Sequence, residues 1–76
     1  MNNHRRKDIE AIRAKLTALS IDLGNLKDEE EISHGNLSER NQAGQVGKKM
    51  QQAMTALDDA IRCVDEADSY LGIAIK

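Results

Sequence analysis

The sequence predicts an all-α fold, an antiparallel two-helix hairpin made by residues 1–76 as a single domain. Three observations predict it. Proline is absent, and the good helix formers Ala, Leu, Glu, Lys, Gln and Arg dominate. Apolar residues recur at alternating intervals of three and four, never two, in two long runs. A single polar, glycine-bearing break, residues 33–39, separates those runs.

The first run is Ile9, Ile12, Leu16, Leu19, Leu23 and Leu26. Its spacing places all six on one stripe of a helix spanning about 4–33. The break then reads Ser33-His34-Gly35-Asn36-Leu37-Ser38-Glu39. Gly35 is expected to end the helix in the left-handed conformation, which only glycine enters without a Cβ clash. Asn36 and Glu39 have capping-box spacing, and Ser38 competes as the N-cap. The second run is Val46, Met50, Ala53, Leu57, Ala60, Val64, Ala67, Leu71 and Ala74. It predicts a helix over about 38–75. Gly44 and Gly47 weaken its first turns by about 1 kcal/mol each relative to alanine. Residues 38–47 are therefore read as a short helical piece, a frayed turn or a hinge. Helices this long, about 40–55 Å, joined by a short turn pack antiparallel. The expected core of the hairpin is Ile9, Ile12, Leu16, Leu19, Leu23 and Leu26 against Met50, Leu57, Val64 and Leu71.

Two helices cannot cover all the apolar surface in this sequence. Outside its leucine stripe the first helix carries Ala11, Ala14, Ala18 and Ile21. The second carries Met54 and Ile61 on one flank, and Cys63 and Tyr70 on the other. These eight residues are the expected self-association surface. Each helix of a lone hairpin meets one neighbour, so a second copy is expected to complete a homodimeric four-helix bundle.

Composition excludes several classes. No run of eighteen apolar residues exists, so no membrane span is expected. The basic start, Met1 to Lys7, has no apolar segment after it, so no secretory signal is expected. One cysteine, Cys63, excludes an internal disulfide and suits a reducing cytoplasm. A net charge of −2 does not mark a nucleic-acid binder.

No constellation in the sequence carries chemistry, so neither enzyme activity nor a cofactor is expected. Asp28-x-x-Glu31 and Asp65-x-x-Asp68 resemble the carboxylate spacing that all-α nucleotide pyrophosphohydrolases use for Mg²⁺. A hairpin turning near residue 35 separates the two pairs by about 30 Å, from the helical rise. Such a hydrolase is an alternative only across a dimer. Glu31-x-x-His34 has di-iron spacing but stands alone at the turn. Cys63 has no histidine near it to lower its pKa. Gly44-Gln-Val-Gly47-Lys48-Lys49 lacks the length, the hydroxyl residue and the preceding strand of a phosphate loop.

Charged residues supply the remaining surface. His4, Arg5, Arg6 and Lys7, then Arg13 and Lys15, put positive charge at a helix start against the dipole, and they are expected to pair with Asp65, Glu66 and Asp68 across the hairpin. Doubled in a dimer, they offer phosphate contacts, which makes nucleic acid the second expectation for a partner. Glu29, Glu30, Glu31, Arg40, Lys48 and Lys49 cluster around the turn as further expected partner contacts.

Glu29-Glu30-Glu31, Asn36-Leu37-Ser38-Glu39, Gln42, Met50 and Leu57-Asp58-Asp59-Ala60-Ile61 together resemble a group of small phage and prophage-type helical proteins. In that group an acidic run precedes Asn-Leu-Pro-Glu and a Leu/Ala heptad helix. This sequence departs from the pattern at Ser38, where the group has proline. The resemblance implies a helical hairpin from a mobile element, working in the bacterial host cytoplasm. It implies action by binding a host protein, of which a component of a defence system is one example.

Overall fold

The computed structural model describes residues 1–76 and contains three helices and no strand. Helix α1 spans Asn3–Gly35, α2 is the short Glu39–Ala43, and α3 spans Gln45–Ala74. The long helices run antiparallel: Arg13 near the start of α1 pairs with Asp68 near the end of α3, while Lys27 pairs with Asp58. The particle measures 58 × 15 × 12 Å, with a radius of gyration of 17.3 Å. A globular chain of this length would have about 11 Å. The hairpin is a rod.

Two of the three helices begin where a side chain satisfies a free amide; α3, whose N-cap is Gly44, has no side-chain cap. The Asn2 side chain accepts a 2.8 Å hydrogen bond from the Arg5 amide at the start of α1. Ser38 does the same for Asn41 at the start of α2. Ser38 is therefore the N-cap, and Asn36 instead closes α1 as its C-cap in a right-handed conformation. The left-handed Gly35 expected from the sequence does not occur. Gly35 is the last residue of α1, and no glycine has positive φ.

The 38–47 segment is a helical piece with its own break. Gly44 leaves the helical region, with φ −84° and ψ −171°, and α3 starts after it. What holds α2 in place is close packing. Gly47 is the one fully buried residue of the chain. A Cβ built there would collide with the backbone carbonyl of Gln42. The Gln42 side-chain amide in turn donates to the carbonyls of His34 and Leu37, at 3.2 and 3.0 Å, and so ties α2 to the end of α1.

The two long helices share a seam rotated from the one the spacing predicts. The half-buried positions of α1 are Arg6, Ile9, Arg13, Leu16, Ser20, Leu23, Lys27, Glu30 and His34, again spaced three and four, with Gly24 beside them. On α3 they are Met50, Met54, Leu57, Ile61, Val64, Asp68 and Leu71 beyond buried Gly47, with Ala60 and Gly72 beside them and Ile75 following at the C-cap. Ile9, Leu16, Leu23, Met50, Leu57, Val64 and Leu71 thus lie in the seam. Ile12, Leu19 and Leu26, expected there, are 46%, 51% and 52% exposed. Their places are taken by the residues that follow them, Arg13, Ser20 and Lys27. Met54 and Ile61, expected on a flank, belong to the seam instead. The cause is polar. Arg13 and Lys27 reach acidic partners on α3, and with Ile9, Leu16 and Leu23 kept in the seam that turns α1 by about 50°, half the angle between successive residues.

Two glycine substitutions test this packing by urea unfolding. Gly47→Ala is expected to lose about 1–3 kcal/mol of stability, because backbone rather than a side chain must move. Gly24 lies mid-helix with nothing within 4 Å of a Cβ. Gly24→Ala is expected to gain about 0.4–1 kcal/mol.

Candidate functional site

One long edge of the hairpin is a polar ladder. Arg13 Nε donates to Asp68 Oδ1 at 2.8 Å, and its Nη2 reaches Asp68 Oδ2 at 3.4 Å. One heptad on, Ser20 Oγ donates to Asp65 at 3.0 Å. Another heptad on, Lys27 Nζ meets Asp58 at 2.8 Å. The guanidinium of Arg13 holds the Asp68 carboxyl below its ordinary pKa, chiefly through the hydrogen bond. The Lys27 ammonium is held above its ordinary value, first by the hydrogen bond to Asp58 and then by that residue's charge. These are partly exposed pairs, so their individual contributions are small. Their regular spacing aligns them along one edge.

The opposite side of the seam is apolar. Ile12, Leu19 and Leu26 recur every seventh residue of α1 and lie there, half exposed. Beside them α3 presents Val46, Ala53, Ala60, Ala67 and Ala74, also at intervals of seven. In an antiparallel pair these two rows lie on the same side of the seam. Cys63 and Tyr70 lie in the next row of α3, both exposed, Tyr70 at 71%. Ala11, Ala14, Ala18 and Ile21, expected to mediate self-association, are exposed on the outer surface of α1, away from this face. The larger signal was in the sequence: Ile12, Leu19 and Leu26 are apolar, but the same spacing serves a seam and a flank.

No apolar side chain of the chain is fully buried. The accessible surface is 5717 Å², whereas a folded monomer of this mass exposes about 4,600 Å². The excess, about 1,100 Å², is larger than the roughly 800 Å² that each partner of a standard interface buries.

The remaining expected contact residues sit at the two ends. Arg5, Arg6 and Lys7 occupy the first turns of α1, and none of them pairs with an acid. Arg6 donates instead to the Asn3 side chain at 3.3 Å, and its Nε is buried without a partner. Glu29 and Glu31 are exposed near the turn, with Glu30 half-buried between them; Arg40, Lys48 and Lys49 are exposed around them. His4 lies in the first turn of α1 and His34 in its last, and Cys63 is mid-way along α3, so no thiol–imidazole pair forms. No three His, Cys, Asp or Glu residues are placed to hold a metal ion. No helix is long and apolar enough to cross a membrane. Comparison with known family models, curated proteins and solved structures finds no match.

The ladder gives a pH prediction. A carboxyl with a lowered folded-state pKa stabilises the fold above its unfolded value and loses that contribution as pH falls through the folded one. The urea midpoint of the wild type is expected to exceed that of Asp68→Asn at neutral pH. The gap is expected to close as pH falls through the ordinary carboxylate range and below it. A gap of constant size over that range contradicts a role for the charged pair.

Proposed function

We propose that this chain is a non-enzymatic interaction protein of phage or mobile-element type. It pairs with a second copy as a four-helix bundle and acts in a bacterial cell by binding a host protein. The observation that carries the reading is the apolar face on a chain with no buried apolar side chain. A rod whose only extended apolar surface is open gains stability by association, and charged residues remain outside to meet another partner. The acidic run Glu29-Glu30-Glu31, set beside Arg40, Lys48 and Lys49 at the turn, is the contact surface for that partner. A component of a host defence system is one candidate of this chemistry, on the resemblance to phage-type helical proteins.

Arg5, Arg6 and Lys7 support a second reading, as phosphate contacts to nucleic acid, because none of them is neutralised by an acidic neighbour. Gel shifts with DNA and RNA at low salt separate the two. Unchanged mobility removes the nucleic-acid reading.

In-cell chemical cross-linking tests the first. The expected product joins the chain to a discrete host protein, and the charge reversal of Glu29, Glu30 and Glu31 to lysine abolishes it while leaving helicity intact. Cross-links that are absent, or that survive the reversal, contradict the assigned surface.

A further inference from the structure

We infer that the apolar face is covered by a second copy of this chain, placed by a two-fold axis parallel to the helices, so that both turns lie at one end of the bundle. This deepens the homodimeric reading above and rests on it.

The face is complementary to itself. Its α1 row is large, Ile12, Leu19 and Leu26, and its α3 row is small, an alanine every seventh residue from 53 to 74. The ladder fixes their relative heights. Ser20 meets Asp65 and Lys27 meets Asp58, while Arg13 meets Asp68. Leu19 therefore stands level with the 62–66 stretch of α3, between Ala60 and Ala67. Ile12 and Leu26 fall in the same way between the neighbouring alanines. A two-fold axis along the rod swaps α1 and α3 across the interface but leaves every residue at its own height. Leu19 then points between Ala60 and Ala67 of the second copy, a knob over a hole, and each large residue repeats the arrangement.

The alternative two-fold axis, across the rod, lays the large row on the large row and alanines on alanines. It would force unequal helix spacings on the two sides of the bundle. The chosen axis gives every neighbouring pair a mixed interface. Neighbouring helices are antiparallel under either axis, so the mixed packing decides between them. Between Arg5 and Ser33 neither row contains a charge, and the charges of the next row of α1, Asp8, Lys15, Asp22 and Glu29, flank the closed face at its rim. The available area agrees, since the broad side of the rod measures 58 × 15 Å, close to the roughly 800 Å² that each partner of a stable dimer buries.

Spin labels at the turn test the geometry. Glu39 is exposed at the start of α2. The Glu39→Cys, Cys63→Ser chain is labelled with a nitroxide, and the label-to-label distance is read by pulsed electron resonance. The expected distance is about 15–35 Å, set by helix spacings of 8–10 Å plus the label arms. A distance on the order of the 58 Å rod overturns the arrangement and leaves the homodimer standing. A single-chain mass with no label–label distance overturns both. Leu19→Glu in the same labelled chain is expected to abolish the distance and halve the mass. Retention of both overturns the assignment of this face.

Discussion

The rotation of α1 about its own axis is set by three side chains that reach for carboxylates on α3. Arg13, Ser20 and Lys27 occupy seam positions that an apolar residue would otherwise fill. Each bond by itself is worth little at a partly exposed site. Three of them, a heptad apart and on one edge, act on the same rotational freedom. Turning α1 back to recover Ile12, Leu19 and Leu26 would break all three together. The hairpin thus keeps a half-polar seam, and the apolar rows it cannot use emerge together on the other side.

That division accounts for the rest of the molecule. The seam retains Ile9, Leu16 and Leu23 against a mostly apolar stripe of α3, enough to define an antiparallel register but not to bury any side chain fully. The turn is tightened separately. The absence of a Cβ at Gly47 admits the Gln42 backbone, and the Gln42 amide holds the end of α1. Register, turn and rotation are all set by polar or steric contacts. Apolar burial is left incomplete within the chain. Under the two-fold arrangement inferred above, the basic starts of α1 gather at one end and the acidic runs with their turns at the other. The bundle then has two chemically distinct ends for contact.

Much of this was legible in the sequence. The three-four spacing identifies both long helices, and the glycine-bearing break locates the turn. The rotation was not legible, for a physical reason. At 12/13, 19/20 and 26/27 an apolar residue precedes a polar one, and at 53/54 and 60/61 two apolar residues adjoin. Burial alone selects Ile12, Leu19, Leu26 and the alanines. The antiparallel turn does bring Arg13 level with Asp68 in the sequence, but nothing there says that the pair takes a place in the seam from Ile12. The same blindness placed Met54 and Ile61 outside the seam. Ser38 and Asn36 carried equal capping signals, and only the conformation after Gly35 distinguishes their roles. Gln42 entered only through the resemblance, and its role gave no signal, because a glutamine that binds two carbonyls looks like any other glutamine in a helix.

The central claim is that folding of this chain is completed by association. Its most direct test is the dependence of the thermal midpoint on protein concentration, followed by circular dichroism. If the folded state is a dimer, a hundredfold increase in concentration stabilises it by about 2.7 kcal/mol. For a particle of this size that raises Tm by roughly 8 °C. A Tm that stays constant over the same range would show that the lone hairpin folds without a partner, and would contradict the account.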